Sequence, residues 1–313
     1  MRLLILGAGG IGGYFGGRLA EAGCDVTFLV RPPRAETLKA GLRIESPYGD
    51  AVIPVRTVTT VSEPFDAVMV SEPFDAVMVS CKAYDLDSAI DAIEPAVGPE
   101  TLVLPLLNGL RHYAALDARF GAERVAGGLA HIGVTMTPEG AIRHFNKLQL
   151  FTLGARSAGQ REAAAALHEE ISRGGFRPRL SETIEQAMWD KYVLLAAFAG
   201  LTCLMRAPVG AIMQATDGER IANSFIDECA AVAGSEGFRP SDKVLADTRA
   251  MMTAPGSDNT ASMLRDLENG GRTEHEHLLG DMLARAKTHE IEAPMLSVAL
   301  AHMQAYEARR AAG

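Results

Sequence analysis

Gly7, Gly9 and Gly12 stand in the G-x-G-x-x-G spacing within GAGGIGG. They follow the apolar run RLLIL and open GYFGGRLAEAG, a stretch of helical spacing. A strand, a tight turn and a helix in that order form the context in which this motif binds a dinucleotide. Gly7 permits the turn, Gly9 lets backbone approach a pyrophosphate, and Gly12 lets the helix pack closely on the strand. Gly10 and Ile11 open the helix, whose free N–H groups face the phosphates. The end of the next strand, CDVTFLVR, selects the cofactor. A carboxylate there would hold the 2′-hydroxyl of NAD, but the sequence has Arg31, with Arg34 nearby, and no carboxylate at the strand end. A guanidinium suits a 2′-phosphate through charge-assisted hydrogen bonds. The expected cofactor is therefore NADPH/NADP, with Arg34 by itself reading as a surface cation. Lys82 follows DAVMVSC and Asn108 follows TLVLPLL. Both occupy expected strand carboxyl ends, where parallel sheets gather ligands; a solvated loop residue is the alternative for each.

The elements that must position these residues are legible as periodicity. RLLIL, GYFGGRLAEAG and CDVTFLVR make a β-α-β unit of a parallel sheet. DAVIPV, DAVMV, TLVLPLL and RVAGGLAHIG read as further strands, and AIRHFNKLQLFTLG as a hairpin-like pair. From about residue 181 the pattern turns helical, beginning with SETIEQAMWDKYVLLAAFAGLTCLM. The expected fold is α/β, with a Rossmann-type N-terminal domain over 1–180 and an all-helical C-terminal domain over 181–313. One irregularity stands out. VSEPFDAVMVS occurs at 61–71 and again at 70–80, a nine-residue unit in tandem. The second copy runs directly into Lys82, so residues 74–81 are expected to form the central strand. Residues 62–70 would then be surplus, an exposed strand former with some aggregation risk.

Bulk properties narrow the function classes. The chain has 313 residues, 48% hydrophobic content and a formal charge of -9. The acidic balance argues against a nucleic-acid binder, which needs a basic surface. No apolar run is read as a membrane span and no secretory leader is read at the N-terminus. Cys24, Cys81, Cys203 and Cys229 are scattered without a CxxC pair. They read as reduced thiols of a cytoplasmic protein. No metal site is expected: His275 and His277 in TEHEHLLG point in different directions on a helix and read as a solvated face. The apolar last helices can bury within one chain or across a homodimer.

GAGGIGGYFGGRLAEAG, FLVR, CKAYD, PLLNGL, WDKYVLLAA, ASMLRDLENGGRTEHEHLLG and IEAP occur in one order over most of the chain. Together they resemble the ketopantoate reductase family. The resemblance implies NADPH-dependent reduction of a 2-oxo acid, 2-dehydropantoate, to a 2-hydroxy acid, on the route to pantothenate and coenzyme A. It implies that Lys191 is the catalytic lysine, with Glu274 its acidic partner. It also implies that Asn108 and Ser262 contact substrate, with Asn108 bordering the cofactor, and that Arg31 and Lys82 hold the adenosine phosphate region. The chemistry agrees. Hydride arriving at a ketone carbon leaves negative charge on oxygen, which a protonated lysine stabilises and then protonates. An unperturbed lysine, with a pKa of about 10.4, is protonated at neutral pH. Thr273 and Glu276 suggest a capping box with Glu274 in the first helical turn, so simple capping is the competing reading for Glu274. For Lys191 the competing reading is a snorkelling surface lysine.

The sequence also departs from the family pattern. Lys191, Leu195 and Ala199 are four apart and share a helical face. The family typically has substrate-contacting asparagines at the second and third of these positions. Leu107 stands where glutamine is common, and Gly200 where a proline follows. These changes leave the cofactor motif and the lysine–acid pair intact while making the expected substrate side more apolar. A family relative reducing a more apolar 2-oxo acid or ketone is therefore an alternative. A non-catalytic NADP-binding regulator and a β-hydroxyacid dehydrogenase are remoter ones; the retained Lys191 and Glu274 argue against the regulator, and the lack of a K-x-x-x-N pair argues against the dehydrogenase.

Overall fold

A computed structural model describes residues 1–61 and 74–312. The chain divides into two compact units, Met1–Leu107 with His112–Ile184, and Asn108–Arg111 with Glu185–Gly313. The helical unit thus begins at residue 185 rather than 181, and it also contains the short segment that carries Asn108.

The first unit opens with β1 (Arg2–Leu6), α1 (Gly10–Glu21), β2 (Asp25–Leu29) and α2 (Pro32–Leu38). It continues with β3 (Leu42–Glu45), β4 (Ala51–Ile53), β5 (Arg56–Val58), β6 (Ala76–Val79), α3 (Leu86–Ile93) and β7 (Leu102–Pro105). Then come α4 (His112–Phe120), β8 (Gly127–Met136), β9 (Ile142–Gly154), α5 (Arg161–Ser172) and β10 (Pro178–Leu180). One sheet is parallel with order β5-β2-β1-β6-β7. Every residue of β6 and β7 is buried, as expected for strands covered on both faces. The second copy of the duplicated unit supplies β6, with Leu3↔Ala76 pairing to β1 and Ala76↔Leu102 pairing to β7. The first copy, and the expectation of a surplus segment at 62–70, looped out or added at the sheet edge, lie outside the described residues.

A second sheet holds β10-β9-β3-β4, with β8 antiparallel to β9. Two sequence expectations change here. DAVIPV forms a strand only over its middle: β4 ends before Pro54, and a separate strand, β5, follows and joins the parallel sheet. Proline cannot donate to a ladder, so the chain changes sheets at that point. AIRHFNKLQLFTLG is a single strand rather than a hairpin, and its antiparallel partner is β8. The polar Asn146 that suggests a turn sits instead at an irregularity. Its Oδ1 accepts the N–H groups of Gly133 (3.2 Å) and Leu148 (3.1 Å), replacing ladder bonds there. The core lies where α1 crosses both sheets. Phe15 meets Phe151 and Phe176 edge-on at 5.0 and 4.9 Å. Glycine on the inner face of α1 permits that approach, since a Cβ on Gly16 would lie 2.3 Å from Ile5.

The second unit contains α6 (Ile184–Met205), α7 (Val209–Ile212), α8 (Gly218–Ser235), α9 (Asp242–Met252) and α10 (Ser262–Glu268). A π-helical turn (Glu276–Gly280) leads into α11 (Asp281–Thr288), followed by α12 (Pro294–Ala312). The buried Glu228 of α8 accepts the N–H groups of Met295 and Leu296, both at 2.9 Å, and so caps α12. Contrary to the expectation that no apolar run is long enough, α6 could cross a membrane by length and composition alone. Two thirds of that stretch is buried inside the fold, which accounts for an apolar helix without lipid.

Candidate active site

In the first unit the glycine turn joins β1 to α1. Gly7 has φ +90°, which a side chain disfavours, and its N–H donates to Leu29 at 2.9 Å. A Cβ on Gly12 would fall 2.1 Å from Ser80 Oγ and 2.4 Å from the Gly7 carbonyl. The helix therefore sits directly on the end of β6, where Ser80 Oγ donates to Leu6 at 2.8 Å. Gly9 is the N-cap of α1, and a Cβ there would meet nothing within 4 Å. No acidic residue stands in the first turn of α1, so Gly10 and Ile11 present their N–H groups without a carboxylate beside them. This is the arrangement that takes an anionic pyrophosphate, and the residues present fit a dinucleotide.

The two arginines differ from the reading of the sequence. Arg34 is no surface cation. Its guanidinium is half-buried and donates to the Ala8 carbonyl at 2.8 and 3.2 Å and to Gly140 at 2.8 Å, so it braces the glycine turn. Arg31 is the N-cap residue of α2, with a largely exposed side chain. A carboxylate does reach it, from a different strand end: Asp85 Oδ2 lies 2.9 Å from the Arg31 guanidinium. Lys82 caps the 3-10 turn Ala83–Asp85 that carries this aspartate, and its carbonyl accepts the Asp85 N–H at 2.9 Å.

In the second unit Lys191 lies on α6 and is only 8% exposed. This excludes the snorkelling surface lysine. Burial pushes its amine down from 10.5 to about 8, against the opposing pull of the Glu274 carboxylate. The expectation of an unperturbed lysine is thereby corrected, because low-dielectric surroundings penalise the charged form. Glu274 is itself buried. The capping box is not formed: Glu307 accepts both the N–H and the hydroxyl of Thr273, at 2.8 and 2.9 Å. The backbone of Glu274, not a side chain, starts the helix by accepting from His277 and Leu278 at 3.1 and 3.0 Å. The Glu274 carboxylate acts electrostatically on the Lys191 amine.

His277 is the residue that the sequence reading missed. His275 and His277 are both buried rather than solvated. The π-helical turn changes the angular spacing on which the solvated-face reading rests, and such turns often occur at functional sites. The His277 ring is hydrogen-bonded to the Asn108 backbone, and burial pushes its pKa below the ordinary 6.5. Gly109, at φ +79°, allows the close contact; a Cβ there would lie 3.0 Å from His277 Cδ2. A glycine after Asn108 and a histidine three residues past Glu274 are the only sequence signals of this tether. Next to Lys191, Tyr192 locks the same turn. Its hydroxyl donates toward the Leu278 carbonyl at 2.8 Å and Asp281 at 3.0 Å.

The fold thus gathers Lys191 with Glu274, and Asn108 with His277, which stands three residues beyond Glu274. Leu195 is half-buried one turn beyond Lys191 and Ala199 is buried one turn further on, so the face has no polar side chain at those two positions. Ser262 is exposed at the first residue of α10.

The profile of the ketopantoate reductase PanE/ApbA family matches residues 3–158, and that of its C-terminal domain matches residues 183–307. The chain is 38% identical to the uncharacterized oxidoreductase YkpB of Bacillus subtilis, over 99% of this chain and all of that one. It is 30% identical to a 2-dehydropantoate 2-reductase of Halobacterium salinarum, over 95% of each. A crystal structure of a PanE/ApbA family ketopantoate reductase from Ralstonia eutropha superposes with a TM-score of 0.87 at 27% identity, covering 99% of this chain and all of that one. The chain belongs to the ketopantoate reductase family, as an oxidoreductase with an NAD(P)-binding Rossmann fold at its N-terminal end.

Proposed function

We propose that this chain reduces 2-dehydropantoate to pantoate with NADPH, Lys191 serving as the general acid. The carrying observation is the buried Lys191 beside Glu274, with its amine brought down to about 8. At that value about 90% of the lysine is protonated at pH 7. It can therefore donate, and its proton is easier to release than that of an exposed lysine. Bound NADPH supplies the hydride. As negative charge grows on the carbonyl oxygen, the desolvated ammonium stabilises it, and the proton then moves from Nζ to that oxygen. Glu274 keeps the amine charged in surroundings that would otherwise discharge it. The Asn108 side chain is offered to substrate from a turn held by His277. Gly7, Gly9, Gly10, Ile11 and Gly12 would hold the pyrophosphate, while Arg31 and Lys82 would hold the adenosine phosphate end. The name of the Halobacterium relative supports the choice of substrate.

Leu195 and Ala199 favour a second reading, a more apolar 2-oxo acid. Without donors at those positions a substrate hydroxyl is buried unpaired, at a cost of about 1–3 kcal/mol. Steady-state NADPH oxidation over a panel of 2-oxo acids separates the two. The highest kcat/KM for 2-dehydropantoate supports the first reading. A higher value for an unhydroxylated acid supports the second, and no oxidation with any 2-oxo acid overturns both.

A further inference from the structure

We propose that Asp85 sets the balance between 2′-phosphorylated and unphosphorylated nicotinamide dinucleotides by competing for Arg31. The inference rests on the reading of the first unit as the NADPH site, with Arg31 as the 2′-phosphate receptor. The Arg31 side chain is 74% exposed and Asp85 is 27% exposed. The Asp85 N–H donates to Lys82 at 2.9 Å, its carbonyl accepts Ser88 Oγ at 2.9 Å, and it is the N-cap residue of α3. The backbone that carries the Asp85 carboxylate is thus held in place, while the Arg31 guanidinium stands at the end of a longer and more exposed side chain.

A 2′-phosphate that engages Arg31 must share the guanidinium with Asp85. It also brings its own negative charge close to that carboxylate. Like charges at this range oppose binding, and ionic strength changes the penalty. A ribose 2′-hydroxyl behaves differently, because it is neutral and both donates and accepts. It can donate to Asp85 and accept from Arg31 without separating the pair. The pair thus tolerates the unphosphorylated cofactor and weakens the phosphorylated one. Its contribution to folding is small, as for other exposed ion pairs, so replacing Asp85 leaves the fold in place.

The test is equilibrium titration of NADPH and NADH by nucleotide fluorescence, on the full-length wild type, Asp85→Asn, Arg31→Gln and the double variant. Asp85→Asn is expected to tighten NADPH by about fivefold or more while leaving NADH unchanged or weaker. In the Arg31→Gln background the same change is expected to tighten NADPH less, because the competition for Arg31 is gone and only the direct repulsion by the Asp85 carboxylate is relieved. Weaker or unchanged NADPH binding in Asp85→Asn overturns the proposal, and so does an equal shift for both cofactors. If Arg31→Gln leaves the NADPH-to-NADH ratio as in wild type, the assignment of Arg31 as the phosphate receptor is what fails.

Discussion

Glu274→Gln keeps the side-chain shape and removes the charge that opposes desolvation of Lys191. The amine stands at about 8 with Glu274 ionised nearby. Removing a close opposite charge moves a pKa by about 1–3 pH units. At the lower end of that range Lys191 in the variant titrates near about 7. With Lys191 as the proposed general acid the protonated lysine is the active form in the reductive direction, so wild-type kcat should be flat at low pH and fall as pH rises through about 8. In the variant the same fall begins about one pH unit lower. The protonated fraction at pH 8 drops from about one half to about one tenth, a loss of roughly fivefold in rate. At pH 7 the loss is about twofold, and by pH 6 it vanishes. The assay is single-turnover NADPH oxidation at saturating 2-oxo acid from pH 5.5 to 9.5, so that product release does not mask the limb. A rate loss of equal size at every pH, with the limb still near 8, refutes the reasoning and makes Glu274 a structural residue.

Lys191→Ala should lower kcat by about 10²–10⁴ while NADPH affinity, measured by titration, stays as in wild type. Leu195→Asn should raise kcat/KM for 2-dehydropantoate relative to unhydroxylated 2-oxo acids; the apolar-substrate reading fails if 2-dehydropantoate is already best and the substitution adds nothing. Gly109→Ala places a Cβ at φ +79° and 3.0 Å from His277, so thermal unfolding should show a loss of about 1–3 kcal/mol. That loss should shrink in a His277→Ala background, where the contact with the His277 ring is gone while that with Leu278 remains. Deleting residues 62–70 should leave NADPH oxidation unchanged, because the β6 ladder uses only Ala76–Val79; lost activity would show that the first copy is required.

Much of the first unit was legible because its signals are local. A turn that needs φ > 0 at Gly7, and a helix that must lie against the end of a strand at Gly12, constrain residue types within a few positions. The same holds for β6, since an apolar strand running into Lys82 reads as a cofactor-site element whichever partners flank it. Errors arose where sequence neighbours are not spatial neighbours. Asn146 resembles a turn residue but satisfies a bulge across β8 and β9. Pro54 cuts the DAVIPV strand short, and the separate β5 that follows it joins the other sheet. His277 reads as solvated under regular helical spacing, but the segment is a π-helical turn that buries it.

By itself, then, the sequence determined the residue types and their order: the glycine turn, the strand-end Arg31 and Lys82, and a lysine on an apolar helix with an acid eighty-odd residues later. Tertiary structure alone decided their physical state. Lys191 and Glu274 acquire their coupling only when α6 and the segment before the π-helical turn are packed together and water is excluded. Arg31 is matched with Asp85 only because β2 and β6 end on the same side of a parallel sheet. Burial and charge proximity are sums over the whole fold, and no local pattern of residues encodes them.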